Sequence, residues 1–584
     1  MRIAGRMALA AILAGAASAP ASRVAHGASA GSILPSTSVS SARKCSSPLR
    51  ELCAAARPED TIAVWIFLAD RGSAAEKENL LCCSARAANR RVLRGHASAG
   101  PRDLPVHHGY VDSLRAHATR IRHASRYFNA VSAEMEAREV PAVCELEFVR
   151  SVDLIASHRR ISAPPPEAPR GSYPESAPRA AYGIDYGESF DQLNQVGVVD
   201  LLERGYNGSG TVSGGEPVLI AILDTGFRLD HAALADVQVE AQHDFINNDS
   251  VTSDEAGDPA GQDTHGTTVL GVLAGHAEGD LIGPAWGARY LLAKTEVIGS
   301  ETPIEEDHWV AGIEWADSAG ADVVTSSLGY ILWYTRDQLD GNTALCTRAA
   351  DIAASHGIVV VNSAGNNGTS GLVAPADGDS VLAIGAVDRT GEIASFSSRG
   401  PTADGRIKPD FTAMGMNVWS VANPSAGFDS HNGTSFAAPI VAGVCALLLE
   451  IHPDWSPMEM RDTLRATSSR SAAPDNTYGW GIPNATLAER PVRSDLSAAA
   501  FPNPFNASMS ICVTVNAPSA VTVKVYDIRG SHIKTLARGR AAQRALSLSW
   551  DGTNERGGRV ASGIYFLAFS SGRSTRTIKA VLIR

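Results

Sequence analysis

Eight cysteines in 584 residues are too few for a disulfide scaffold. None forms a Cys-x-x-Cys pair or a His/Cys cluster at zinc spacing, which removes the common structural-zinc and dithiol classes. Five of them (Cys45, Cys53, Cys82, Cys83 and Cys144) precede residue 145, so any pairing in an oxidising compartment would fall there; Cys346 and Cys512 stand apart. Cys445 sits in an apolar run and is expected as a buried thiol. Basic excess is also missing. The formal net charge is −11, which provides no field for nucleic acid. The N-terminal apolar run, Met7 to Ala17, is too short to span a bilayer, and no transmembrane segment is expected. A further absence concerns the triplet Asp224-Thr225-Gly226. A pepsin-type mechanism needs two such carboxylates sharing a proton, and no second Asp-Thr/Ser-Gly triplet occurs. Asp224 therefore pairs with a copy on another chain or serves a different nucleophile.

What is present divides the chain into parts. Arg2 and Arg6, then Met7 to Ala17, then Ala17-Ser18-Ala19 make the three-part pattern of a secretory signal, taken as residues 1–22. Residues 23–58 are rich in Ser and Ala and are expected to be flexible. Residues 59–160 mix strand and helix patterns. They contain "TIAVWIFLAD", a helix feeding a strand over Tyr110 to Met135, and the strand "FVRSVDLI". A Pro-rich stretch, 161–183, follows as an exposed linker.

From 184 to 489 continuous apolar runs alternate with helical patterns. The runs are Val218–Leu223, Tyr290–Val297, Ala321–Gly329, Ile358–Gly365 and Val381–Asp388. Strands buried on both faces have this character, so a doubly wound, mostly parallel α/β sheet is expected. Ser435 to His452 is apolar on nearly every side and should be a central buried helix. After a spacer at 490–500, residues 501–584 show alternating runs separated by turn signals such as Asp551-Gly552 and Gly557-Gly558. These predict a small antiparallel β-sandwich.

The working crevice of an α/β sheet lies at the carboxyl ends of its strands. Asp224 follows such a strand. His265 opens a buried helical run in "DTHGTTVLGVLAG"; Ser435 follows a Gly turn in "NGTSFAAPIVAG"; Asn366 lies just past a strand in "NSAGNNG". His265 stands 41 residues after Asp224, and Ser435 stands 170 after His265. A lone His, Ser or Asn at such places is more often a cap or turn residue. Gly27-Ala28-Ser29-Ala30-Gly31 also matches a nucleophile-elbow pattern, but no strand precedes it.

The order Asp, His, Ser is that of subtilisin. Through "DTG" at Asp224, "HGT" at His265, "SAGNNG" at Asn366 and "GTSFAAP" at Ser435, residues 184–490 resemble the subtilisin-like serine proteases, the subtilases. Thr268 and Phe436 stand where that family often has His and Met, at positions that supply no catalytic atom. The resemblance implies that Ser435 is the nucleophile, His265 its base and Asp224 the orienter of His265. It also implies that Asn366 and the Ser435 N–H hold the oxyanion. It further places peptide pairing at Ser326-Ser327-Leu328-Gly329 and Ser363-Ala364-Gly365, where no charged side chain selects a substrate. Relatives often bind calcium. The acidic stretch His243 to Asp263 lacks a calcium-loop spacing and is expected as a solvated loop, with no cofactor required for chemistry.

Residues 59–160 resemble the inhibitory propeptides of subtilases, carried by "SRYFNAVSAEM" and "FVRSVDLI". Residues 501–584 resemble type IX secretion sorting domains and FlgD-like immunoglobulin modules, carried by "FPNPFN", "VKVYDIRG", "WDGTNERGGRVASGIYF" and "KAVLIR". Together they imply a self-processing endopeptidase acting on peptides or proteins, secreted or held at a bacterial surface, with its own propeptide and the export machinery as partners. The rival is a catalytically silent subtilase fold used for surface binding or adhesion. The intact residue set argues against it.

Overall fold

The computed structural model describes residues 44–72, 82–155, 183–300, 302–422, 426–490, 496–501, 503–506, 508–515, 519–542, 545–572 and 574–583. The expected signal at 1–22 and all of the Pro-rich linker except Gly183 lie outside those residues.

The N-terminal domain begins earlier than residue 59. Helix α1 (Ser47–Ala55) carries Pro48 in its first turn and buries Leu49. Ahead of it Cys45 bridges to Val152, and the Ser46 N–H donates to the Val152 carbonyl at 3.0 Å. Part of the stretch expected to be flexible is thus docked, because one Leu and a backbone pairing suffice to hold a short helix. The domain continues with β1 (Thr61–Leu68), α2 (Ala85–Leu93), α3 (His108–Arg115), β2 (Ala118–Ser125), β3 (Ala130–Glu136), α4 (Val140–Glu145) and β4 (Val149–Leu154). Its antiparallel sheet runs β2-β3-β1-β4. The stretch 110–135 is a helix and two strands, where one strand was expected. β2 reads "ATRIRHAS", too polar to show a strand period, and it becomes a strand by pairing with β3 across a turn at Asn129, whose φ is +50°.

The central domain holds a seven-stranded parallel sheet. Its elements are β5 (Leu219–Asp224), β6 (Gln238–Asp244), α5 (Thr264–Ala274), β7 (Arg289–Lys294), α6 (Pro303–Ala319), β8 (Val323–Ser326), α7 (Leu345–Ser355), β9 (Val359–Ser363), β10 (Val381–Val387), β11 (Phe411–Met414) and α8 (Thr434–Ile451). The spatial order is β11-β10-β9-β8-β5-β7-β6. Alternate strand residues face opposite layers. Ile220, Ile222, Val323 and Val359 pack with α5 and α8; Leu219, Ala221, Val324 and Val360 pack with α6 and α7. The sheet is therefore covered on both faces, as its continuous apolar runs require. From β5 the chain first builds β6 and β7 on one side, then β8 to β11 on the other. The order reverses beside β5, whose last residue is Asp224. Helix α8 is long and apolar enough to cross a bilayer, but it lies almost wholly buried in this domain.

The N-terminal domain docks on the α6–α7 face. Trp65, Tyr127 and Phe128 join the hydrophobic cluster of Trp309 and Ile313. Around this apolar centre lie buried ion pairs. Asp317 of α6 receives Arg90 at 2.5 Å, Arg91 at 3.0 Å and Arg126 at 2.8 Å, plus the Tyr127 hydroxyl at 2.9 Å. Asp322, just before β8, receives Arg86 at 2.6 Å and Arg94 at 2.9 Å.

The C-terminal domain packs β12 (Leu496–Phe501), β13 (Met509–Val515) and β16 (Ala545–Trp550) against a second sheet. That sheet runs β15 (His532–Ala542), β14 (Ser519–Asp527), β17 (Gly563–Ser571) and β18 (Ser574–Leu582). Val523, Trp550, Leu567 and Phe569 fill the space between them. The expected spacer at 490–500 is shorter than its composition implied. "LSAAAF" is poor in β-formers, yet as β12 it pairs with β13 from Leu496 onward.

Candidate active site

Asp224 ends β5 and turns into Gly226, whose φ is +149° and where a Cβ would lie 2.7 Å from the Thr252 carbonyl oxygen. Gly266 in α5 has a second close approach: a Cβ there would lie 2.2 Å from the Gly226 carbonyl. These two glycines let the start of α5 rest directly on the Asp-Thr-Gly turn. His265, in the first turn of α5, therefore meets Asp224. Its Nδ1 lies 2.6 Å from Asp224 Oδ1. The same oxygen accepts the Thr225 N–H at 2.8 Å. Asp224 is fully buried, and its Oδ2 has no hydrogen-bond partner among the described residues.

Burial disfavours the His265 imidazolium, but the adjacent Asp224 carboxylate and its hydrogen bond outweigh that cost. The net effect holds its pKa above the ordinary histidine value. The Phe436 ring forms the wall beside it, with centroids 5.9 Å apart, and also touches His431 at 5.2 Å. Burial lowers the pKa of His431, and the neighbouring His265 adds to the effect. Thr268, the other departure from the family pattern, donates back to the Thr264 carbonyl at 3.0 Å within α5.

Ser435 stands in the first turn of α8, where the unpaired N–H groups of a helix end gather positive potential. Its hydroxyl donates to the Ser327 carbonyl at 3.3 Å, and the Ser327 hydroxyl donates to the Ser435 carbonyl at 2.7 Å. This reciprocal pair ties α8 to the end of β8. Asn366 is exposed, just past β9. Its Oδ1 accepts the Thr434 N–H and the Thr434 hydroxyl, both at 3.0 Å, which turns its Nδ2 away from Thr434.

The segments 326–329 and 363–365 leave neighbouring parallel strands side by side. Asn362 bridges them, donating to the carbonyls of Leu328 at 2.9 Å and Ser363 at 3.0 Å. Ser326 and Ala364 are fully buried, and Leu328 and Ser363 nearly so. The Ser326 hydroxyl is bonded to Trp309 Nε1 at 2.9 Å. These side chains are therefore packed inward and do not face solvent. Gly329 and Gly365 sit against Val373, where a Cβ on either would lie within 3 Å of its methyl groups.

The acidic stretch 243–263 is in part the solvated loop expected, with 247–251 exposed, but it closes on a buried charge centre. Asp244, Asp249 and Glu255 gather closely enough to hold a metal ion. Lys294, at the end of β7, is fully buried against them: its ammonium lies 2.8 Å from Asp244, 2.7 Å from Asp258 and 3.9 Å from Glu255. The central cation is thus a side chain, and the residues do not fit calcium at that point. Lys294 is not legible in the sequence, since a single Lys inside the run Tyr290–Val297 carries no local sign that carboxylates from another loop surround it. The Thr434 contact that orients Asn366 is not legible there either.

Comparison with known proteins agrees with this geometry. Residues 215–481 match the subtilase family model, 63–168 a peptidase S8 propeptide domain of Bacteroidota, and 504–574 the FlgD Ig-like domain. The chain is 32% identical over 315 residues to a subtilisin of Bacillus pumilus, covering 53% of this chain and 99% of that protein. It is 35% identical over 291 residues to subtilisin DY of Bacillus licheniformis, covering 49% and 93%. It is 32% identical over 313 residues to subtilisin E of Bacillus subtilis (strain 168), covering 53% and 72%. With the sheet, the propeptide domain and these relatives in agreement, the chain belongs to the subtilase family: it is a subtilisin-like serine endopeptidase made with a propeptide and a C-terminal FlgD-like immunoglobulin domain.

Proposed function

We propose that the chain hydrolyses peptide bonds through Asp224, His265 and Ser435, with Asn366 at the oxyanion, and that it is exported as a precursor that processes itself. The observation that carries this reading is the 2.6 Å contact between His265 Nδ1 and the buried Asp224 carboxylate. With Nδ1 held there, Nε2 is the nitrogen left to act as base. Ser435 attacks the scissile carbonyl carbon and gives its hydroxyl proton to His265 in place of the Ser327 carbonyl it now faces. The Asn366 amide and the Ser435 N–H take the charge on the carbonyl oxygen. His265 returns the proton to the leaving amine. Water then releases the acyl group by the same route, and Ser435 recovers its proton.

Substrates are peptides or proteins paired through the backbone of 326–329 and 363–365, with no charge selection at the side chains named. The propeptide, docked through α2 and its sheet, keeps the domain latent until the chain is cut within 156–186. The basic, then apolar start of the chain supports export by a signal peptide. The FlgD-like domain supports a role in sorting to the surface or medium, through type IX secretion machinery. A Ser435→Ala precursor expressed in a protease-free system should fold and stay uncut, while the parent chain processes and then hydrolyses casein. Cleavage of the Ser435→Ala chain at the same place would show that another protease does the processing. A processed parent chain that leaves casein intact would favour the binding-protein reading.

A further inference from the structure

The acidic loop touches both halves of the proposed charge-relay pair. The Thr252 carbonyl accepts the Phe227 N–H at 2.7 Å, just past the Asp-Thr-Gly turn. Gln262 donates to the Thr225 carbonyl and, at 2.6 Å, to the Glu296 carbonyl. Asp263 precedes α5, and its carbonyl accepts the Thr267 hydroxyl at 2.6 Å and the Thr267 N–H at 3.1 Å. The loop is therefore both the strap over Asp224 and the entry to the helix that carries His265.

Its own folding concentrates negative charge. Asp244, Asp249, Glu255 and Asp258 converge, and Asp254 turns toward Asp263, accepting its N–H at 2.7 Å while the Asp263 carboxylate accepts the Asp254 N–H at 3.1 Å. Such a cluster repels itself unless a cation sits within it. Lys294 supplies that cation. In the sheet it pairs in register with Asp224 on one side and Asp244 on the other. Its carbonyl accepts the Phe245 N–H at 2.9 Å, and the next residue, Thr295, donates its N–H to the Asp224 carbonyl at 2.9 Å. One backbone step thus connects the buried ammonium to the backbone of the catalytic aspartate.

We propose that Lys294 is a positioning residue for the catalytic pair: a built-in cation that holds loop 244–263 closed over Asp224 and His265, in the place a divalent metal would otherwise take. The assignment rests on the reading of Asp224 and His265 as orienter and base. It makes one prediction that a merely structural lysine does not: removing the ammonium should create a demand for a metal.

The test uses the full-length chain carrying Lys294→Ala, which removes the ammonium and empties the place it fills. In chelator, kcat should fall about ten- to a hundredfold with KM little changed, the scale of a small misplacement of catalytic groups. Amide exchange across 245–263 should quicken in the same sample. Millimolar calcium should restore both in the variant and change neither in the parent chain. Unchanged kcat and exchange in chelator would overturn the proposal, as would a folded variant whose losses calcium does not repair. If Lys294→Ala fails to fold, Asp258→Asn decides. It keeps the lysine, removes a partner at the loop's edge, and should speed exchange across 245–263; unchanged exchange would overturn the proposal. Exchange is read without catalysis, so an inactive parent chain would refute the base assignment and leave the strap still tested.

Discussion

Replacing Asp317 by alanine in the full-length chain should loosen the propeptide without harming the mature enzyme. Asp317 is fully buried beneath the N-terminal domain and meets Arg90, Arg91, Arg126, Tyr127 and His356. Burial opposes its charge, but those donors hold its carboxyl well below the usual range, so it is an anion in the docked state. In the variant Arg91 and Arg126 keep Asp103, at 2.6 and 3.3 Å. Among the described residues Arg90 keeps only the carbonyls of Ala321 and His356. At least one buried guanidinium thus loses its carboxylate. Breaking a buried pair in this way costs about 3–5 kcal/mol, or roughly 140- to 3,700-fold in the hold of the cleaved propeptide at about 1.4 kcal/mol per tenfold. The assay is the lag before casein hydrolysis after processing, with size exclusion following the cleaved propeptide. The variant should show a short lag and early separation. Its final kcat should match the parent's, because Asp317 belongs to the docking face and not to the crevice. A variant complex as long-lived as the parent's would refute the latch. A lowered final kcat would show that Asp317 supports the active site.

Four further outcomes follow from the same geometry. Because Asp224 raises the His265 pKa and the base must be neutral, kcat/KM should fall as pH drops through a value above 6.5. Asp224→Asn should shift that limb to lower pH and reduce kcat about 10⁴-fold, the scale of this change in another Ser-His-Asp protease; a limb that stays in place would deny the pairing. Asn366→Ala should reduce kcat about 10²–10³-fold, the loss measured for the corresponding change in a subtilisin, with KM little altered; a change confined to KM would assign Asn366 to binding instead. Gly266→Ala, whose Cβ would lie 2.2 Å from the Gly226 carbonyl, should force α5 off the Asp-Thr-Gly turn and lower stability by about 1–3 kcal/mol as well as activity; normal denaturant midpoints would count against the close contact. Ending the chain after Arg490 should leave peptidase activity intact while the protein stays inside its producing cell. The described ion pairs that reach the sandwich, Arg576–Asp462 and Lys579–Asp404, are partly exposed and worth about 0–1 kcal/mol each. Lost activity in a folded truncation would mean the sandwich shapes the site.

The parts legible in the sequence are those whose cause is local. Val218 to Leu223 announces a strand buried on both faces because neither face can be polar, and Asp224 then has to lie at the strand's carboxyl end. Ser435 and His265 carry local flanks, "GTSFAAP" and "HGT", that mark helix starts. The parts that stayed hidden depend on distant partners. β2 is a strand only because β3 lies beside it. β12, nearly all Ala and Ser, is a strand only because β13 is there. Arg90 and Asp317 are 227 residues apart, and no local pattern distinguishes a helix whose arginines face solvent from one that buries them against another domain. Lys294 hid for the same reason: its burial is decided by a loop that begins 50 residues earlier in the chain. Likewise the orientation of Asn366 is set by Thr434, 68 residues on.

A Ser435 hydroxyl activated by His265 reacts with an electrophile that an ordinary serine ignores. The most direct measurement treats the processed chain with a fluorophosphonate probe and maps the adduct by mass spectrometry. One adduct should form, on Ser435, in the folded parent protein, and labelling should be lost on unfolding. Labelling should become at least a hundredfold slower in a His265→Ala chain whose precursor has been cut by an added protease. Folded, processed protein that takes no label at Ser435, or takes it equally fast without His265, would contradict this activation.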